Sequence, residues 1–203
     1  MKLYMAPGSC TTGIHILLEE LGLPFEAWIL SIPAGEHLKP EYLALNPKSS
    51  IPTLVLDDGQ SLTDYIAISY WLARRYPRAR LIPEDALAAA RVMEILAYVV
   101  GTLHGQGFAR LFNADHFSAE GAAAEAIRAK GREIVDKAFA ILETQVGAAY
   151  AVGDFSIADP ALFYVEFWAD KLGIPLPDKL AAHYARVRSR PVVQQVLREE
   201  GYR

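Results

Sequence analysis

Lys2-Leu3-Tyr4-Met5, Ala6-Pro7-Gly8-Ser9, Cys10-Thr11-Thr12-Gly13-Ile14-His15-Ile16-Leu17-Leu18-Glu19-Glu20-Leu21-Gly22 is the stretch that decides the fold. Its first four residues alternate as a strand does, and Pro7 and Gly8 break the strand. Ile14, Leu17, Leu18 and Leu21 then recur at helical spacing, and Gly22 is placed to close the helix. Cys10, the single cysteine, therefore stands at a strand-to-helix turn beside a helix N-terminus. A free thiol is only about 3 % ionised near pH 7. Lowering its pKa by ~2 would take about 2.7 kcal/mol of preference for the charged form. A helix N-terminus supplies about 0.3–1 kcal/mol, so hydrogen bonds, with Thr11 and Thr12 as candidates, would supply the rest. The competing reading of the same residue is a small buried hydrophobe.

Outward from this stretch, the 203 residues suit one large domain or two small ones. A net charge of −4 without a basic run argues against a nucleic-acid surface. A single cysteine excludes an intrachain disulfide and suits a reducing compartment. The chain opens on a strand pattern rather than a charged segment followed by an apolar core. Its most apolar run, Ile95 to Leu103, reads as too short to cross a membrane. The expectation is a soluble cytoplasmic protein without nucleic-acid or membrane partners.

Residues 1–76 read as an α/β unit. A second strand follows at Phe25 to Leu30, then an irregular polar segment to Lys39 and a short apolar turn before Asn46-Pro47. The run Thr53 to Leu56 and the segment Gln60 to Thr63 flank the hairpin signal Asp57-Asp58-Gly59. Asp64 is placed to cap the next helix. The order is βαβ, a connector, then ββα. Residues 77–85, with Pro77 and Pro83, form a linker. Residues 86–203 show only helical patterns: one long helix from Ala88 to Phe112 and another from Gly121 to Val146 with Ile127, Ile134, Ala138, Ile141 and Leu142 on one stripe. Further helices start at Ser156, near Asp178 and at Pro191. Ser156 with Asp159 forms a capping box, with the serine oxygen on the Asp159 amide.

Four stretches carry a family resemblance that covers the full chain: Lys2 to Cys10; Asn46-Pro47-Lys48-Ser49-Ser50-Ile51-Pro52-Thr53-Leu54; Leu62-Thr63-Asp64-Tyr65-Ile66-Ala67-Ile68; and Gly153-Asp154-Phe155-Ser156-Ile157-Ala158-Asp159. Together they resemble the bacterial cytosolic glutathione transferases, particularly the cysteine-containing beta class. The resemblance implies a thioredoxin-like N-terminal domain followed by an all-α C-terminal domain, and a homodimer. It implies glutathione as co-substrate, with no tightly bound cofactor and no metal. It also implies a small hydrophobic electrophile as the second substrate and detoxification as the role. Cys10 and His104 become the catalytic candidates, with His104 facing Cys10 across the cleft. Ile51, before an expected cis Pro52, would pair its backbone with the cysteinyl part of glutathione. Asp64 and Tyr65 would hold the γ-glutamyl end.

The chain departs from the family pattern at several points. Tyr65 stands where a serine or threonine is usual, Ala97 where an asparagine reaches the partner subunit, and Gly105 where a lysine is common. A lysine expected near Ser31 to Glu36 is missing, with Lys39 or His37 as possible replacements. Ser9, Thr11 and Thr12 are rival hydroxyls to Cys10. The activity implied is conjugation of glutathione to electrophiles, or thiol–disulfide exchange through Cys10. The alternative is a non-catalytic ligand- or protein-binding member of the fold with a degenerate glutathione site. Tyr98, Phe108, Phe112 and Trp168 could line an apolar cleft or serve as core.

Overall fold

A computed structural model describes residues 1–117 and 121–202. The N-terminal part is built from β1 (Lys2–Met5), α1 (Thr11–Glu20), β2 (Glu26–Ile29), α2 (Pro40–Leu43), β3 (Thr53–Val55), β4 (Ser61–Leu62) and α3 (Tyr65–Arg75). The sheet order is β2-β1-β3-β4. β1 runs parallel to β2 and antiparallel to β3, with Leu3 opposite both Ala27 and Leu54. Alternation in β1 buries Leu3 and Met5. A short crossover through α1 makes the parallel pair, and the Asp57 to Gly59 turn, with Gly59 at φ +84°, makes the antiparallel β3–β4 hairpin. The strands are shorter than the sequence pattern suggests, but their order is the expected βαβ then ββα. α1 is buried along most of its length, because it lies between the sheet and the helical part. Gly22, at φ +61°, closes it: the Leu23 N–H reaches the Leu18 carbonyl at 3.1 Å and the Gly22 N–H reaches Glu19 at 3.0 Å.

The helical part begins with α4 (Ala86–Tyr98), capped by the Asp85 carboxylate on the Ala88 amide at 2.8 Å. The chain continues without a break through a π-helical stretch, Val99–Phe108, into α5 (Ala109–Phe112). The expected single helix is therefore one rod with a wider-wound middle, where Gly101, Gly105 and Gly107 offer little resistance. Gly107 is also needed for close crossing, since a Cβ there would stand 2.8 Å from Val135 Cγ2. The rod from Ala86 to Phe112 has 27 residues and a mean hydropathy of 1.6 in its most apolar window. By length and composition it is long enough to span a membrane, which corrects the expectation from Ile95 to Leu103. Here its inner face packs on α6 (Gly121–Gln145) and α7 (Ala158–Lys171).

The buried face of α6 is Ala124, Gly131, Val135, Ala138, Phe139 and Leu142, continued by Val146 just past its end, while Ile127, Ile134 and Ile141 lie on its half-buried flank. Of the expected stripe, Ala138 and Leu142 are buried, whereas its three isoleucines stand at the edge of the buried face. α7 is buried from Ala158 to Ala169 and forms the centre of the helical part. Its capping differs in one bond. Asp159 does reach back to the Ser156 amide at 2.6 Å, but the Ser156 hydroxyl accepts from Ala158 at 3.3 Å rather than from Asp159. α8 (Asp178–Arg188) and α9 (Pro191–Glu199) complete the chain, the latter starting on proline as expected. One hydrophobic cluster runs from Leu3 and Leu54 through α1 to Leu162 and Phe163, so the two parts share a core.

Candidate active site

Cys10 sits at the first turn of α1 with 7 % of its surface exposed. Its thiol donates to the Ile51 carbonyl at 3.7 Å. Burial pushes its pKa up to about 12, against the lowering effect of its own amide and of Ser9 and Thr11; the Asp64 charge adds to the rise. The sequence left open whether the helix terminus makes a thiolate here. In the structure desolvation outweighs it, and Cys10 is a neutral thiol near pH 7.

The turn that carries Cys10 is held from the helical part. Gly8, at φ +73°, donates its N–H to Glu200 Oε2 at 2.7 Å, and its carbonyl accepts from Trp168 Nε1 at 2.7 Å. The same carboxylate takes the Thr12 hydroxyl at 2.6 Å and His15 Nδ1 at 2.9 Å. A Cβ on Gly8 would lie 2.0 Å from the Tyr202 hydroxyl, so only glycine fits beneath that ring. Thr11 closes the turn on itself, donating to the Ala6 carbonyl at 3.0 Å while accepting the Ala6 N–H at 3.2 Å. Ser9, Thr11 and Thr12 thus spend their hydroxyls on the scaffold.

Ile51 and Pro52 are joined by a cis bond. Their loop is set by Asn46, whose side-chain amide reaches the Ser50 carbonyl at 2.7 Å and the Thr53 hydroxyl at 3.1 Å, and by the buried Tyr42 hydroxyl on the same two residues. The Asn46-Pro47 signal therefore fixes the backbone that faces Cys10.

Asp64 does not cap α3 with its side chain. Its carboxylate accepts from Lys48 Nζ at 2.9 Å and from the Ser50 hydroxyl at 3.2 Å, and both charged side chains are about half exposed, 51 % for Lys48 and 52 % for Asp64. No side chain among the described residues caps the α3 N-terminus, whose first amides suit an anionic group. Tyr65 starts α3, yet its phenol turns inward and is 2 % exposed. The side chain is thus not a counterpart of a short hydroxyl at this position, which leaves only its backbone amide at the surface of this end. Lys39 is paired with Glu36 at 3.2 Å, and His37 Nδ1 is buried without a partner among the described residues. The cation at the acid is Lys48, which the sequence reading quoted but gave no role.

His104 lies in the π-helical stretch. Its Nδ1 is 3.1 Å from the Tyr164 hydroxyl, and its ring stands edge-on to Trp168 at 4.9 Å between centroids. Burial pulls its pKa down to about 4, so it is neutral at pH 7. The hydrogen bonds of the described residues link His104 to Tyr164 rather than to Cys10 directly. Tyr164 in turn packs on Tyr65 at 5.3 Å. Phe108 and Trp168 are buried, Tyr98 is intermediate, and Phe112 is 48 % exposed, stacked on Phe108. The aromatic group is thus part core and part open wall. Ala97 and Gly105 are both exposed. Tyr164, Glu200 and the bond from Trp168 to Gly8 were missed because only tertiary contact makes them. His15, Glu19 and Glu199 also bring three ligand-type atoms within 4.8 Å of one another, a proximity hidden by their sequence spacing; His15 is already committed to Glu199 and Glu200.

Residues 8–75 match the family model described as glutathione S-transferase, N-terminal domain. The chain is 34 % identical over 206 aligned residues to glutathione S-transferase GstA of Escherichia coli O157:H7, covering 99 % of each chain. Among solved structures it resembles a glutathione transferase homologue from Sulfitobacter with bound glutathione, at a TM-score of 0.90 and 29 % identity over 98 % of this chain and 97 % of that one. The bacterial beta class enzyme of Sphingomonas chungbukensis gives a TM-score of 0.85 and 30 % identity over 99 % of both chains. With a relative this similar along its whole length, the chain belongs to the glutathione S-transferase family.

Proposed function

We propose that the protein conjugates reduced glutathione to small hydrophobic electrophiles, with Cys10 as a neutral hydrogen-bond donor to the glutathione sulfur. The observation that carries this reading is the buried Cys10 thiol, neutral and directed at the Ile51 carbonyl. Glutathione would lie along Ile51 as an added strand. Its γ-glutamyl end would meet Asp64 and the open amides of α3. Its sulfur would replace the Ile51 carbonyl as acceptor of the Cys10 S–H bond. The bound thiol loses its proton to solvent, the thiolate attacks the electrophile, an S–C bond forms, and the leaving group departs with its electron pair. His104, neutral and tied to Tyr164, orients this end of the site rather than carrying charge. Phe112, exposed and backed by the buried rings of Phe108 and Trp168, offers apolar surface for the electrophile.

Exchange through Cys10 is the weaker reading. With a pKa of about 12, only ~10⁻⁵ of Cys10 would be thiolate at pH 7, and thiolate is the nucleophile in exchange. A non-catalytic role is disfavoured by the intact sulfur end of the site. A homodimer is supported by an open apolar groove of about 640 Å³ that runs from Asp64 past Ala67 and Tyr70 to Met93 and Val100. Leu87, also on α4, is exposed as well. We place the protein in the cytoplasm, with residues 1–76 as the glutathione unit, 77–85 as linker and 86–203 as the helical unit. Calorimetric titration with glutathione, followed by a conjugation assay on wild type and Cys10→Ala, tests the reading. Binding with a conjugation rate that falls in the variant is expected; no binding at millimolar glutathione contradicts it.

A further inference from the structure

Asp159 and Glu166 stand seven residues apart on α7, so both fall on one face of that helix. His183 of α8 lies between them, and all three side chains are 1 % exposed or less. His183 Nε2 is 3.0 Å from Asp159 Oδ1. Its Nδ1 is 2.9 Å from Glu166 Oε2 and 3.0 Å from Glu166 Oε1. A neutral imidazole carries one N–H and one lone pair. Both contacts are hydrogen bonds only when the cluster holds one further proton, on the ring or on a carboxyl group. Without that proton a lone pair faces a carboxylate, and two negative charges share a space that water does not reach. Unbalanced charge in such a place is costly.

The bonding shows where the further proton resides. Asp159 accepts from the Ala151 amide at 2.7 Å, the Ser156 amide at 2.6 Å, the Ser156 hydroxyl at 3.0 Å and His183. Four donors fill the lone-pair sites of an ionised carboxylate. The hydrogen bonds of the described residues give Glu166 only His183, shared between its two oxygens. The proton therefore belongs to the Glu166–His183 pair. The surroundings agree. Burial pushes the Glu166 carboxyl up. Burial alone would pull His183 down, but the Glu166 charge and the bonds to Asp159 and Glu166 outweigh it and raise the ring. Both shifts retain a proton. The other elements packed on α8 do not compensate the pair. Glu143 of α6 takes the Lys179 and Leu180 amides instead. On α8 itself Lys179 and Arg186 are exposed, and Arg186 reaches the Ala149 carbonyl. Among the described residues no charged group of α9 bonds the ring.

We propose that Asp159, Glu166 and His183 form a proton-retaining latch between α7 and α8, in which Glu166 and His183 share one proton through neutral pH and release it to solvent only in alkali, loosening the joint. His183 is raised to about 9 from an ordinary value near 6.5. The stability it contributes is therefore fully present below pH 6.5 and is lost as pH rises through about 9. The raised Glu166 carboxyl acts in the same sense. The latch is independent of the glutathione reading, so either can fail without the other.

The test is equilibrium urea unfolding of wild type and Glu166→Gln at pH 6.5 and pH 9.5. The glutamine amide can donate to Nδ1 while the ring N–H goes to Asp159, so the variant needs no further proton. Between the two pH values the folding constant of wild type should fall at least tenfold more than that of the variant. Parallel losses overturn the proposal. A second measurement stands even where the variant fails to fold: an NMR titration of the assigned His183 ring in wild type. Its midpoint should lie above pH 8. A pair that has already lost its proton at pH 7 overturns the proposal.

Discussion

The two ends of the site are built in opposite ways. At the sulfur end, the Gly8 to Thr12 turn is tied by Glu200, Trp168 and Tyr202, three side chains from the far end of the sequence. The thiol there is dry and neutral. At the end proposed for the γ-glutamyl group, Asp64 is half exposed and its partners are Lys48 and Ser50 from the neighbouring loop. An exposed pair of this kind contributes about 0–1 kcal/mol. The difference teaches where the chain can vary: the chemistry end is part of the folding core, whereas the gripping end can exchange partners at little cost to stability.

The largest effect is expected at the buried end. Glu200→Ala leaves the Gly8 amide, the Thr12 hydroxyl and His15 without their shared acceptor. Removing one partner from such a buried charged network costs about 3–5 kcal/mol, read as a lowered midpoint in urea unfolding. A loss below about 0.5 kcal/mol would break the contrast between the two ends. Next comes His104. Its pKa, depressed by burial to about 4, means that the stability it contributes is present above pH 6.5 and is lost as pH falls from there toward 4. The full loss is about 3 kcal/mol. Unfolding free energies across that window should fall more steeply for wild type than for His104→Gln; equal slopes would contradict the burial assigned here. The smallest effect is expected at the exposed end. Asp64→Asn should change unfolding free energy by less than about 0.5 kcal/mol. It should weaken glutathione binding by about 1.5–3 kcal/mol, or roughly ten- to a hundredfold. A stability loss without an affinity loss would reverse the assignment of this end.

The parts legible in the sequence are those set by local pattern. The strand, break and helix around Cys10, the closing Gly22, the Asn46 to Pro52 loop and the proline start of α9 all follow from residues within one turn or one hairpin of each other. The π-wound middle of the long helix has no such signature, because helical periodicity alone does not separate the two windings. The stripe on α6 was read slightly off its true face, since isoleucines draw attention that Gly131 and Ala124 do not. At the site, the ring direction of Tyr65, the Lys48–Asp64 pair and the Tyr164–His104 bond depend on how separate elements pack. The Glu200 contact to Gly8 joins residues 192 apart in sequence. The state of the thiol itself was illegible for the same reason: a helix terminus is visible in sequence, but the burial that outweighs it is not.

The most direct measurement is the pH dependence of Cys10 alkylation in the unliganded protein, followed by mass spectrometry. With the thiol pKa pushed up to about 12, Cys10 should react at pH 8 on the order of a thousandfold more slowly than a free thiol. Its rate should still be rising at the highest pH at which the protein stays folded. Rapid alkylation that levels off below pH 7 would show a thiolate at the helix terminus, and would replace the hydrogen-bond donor described here with a nucleophile for disulfide exchange.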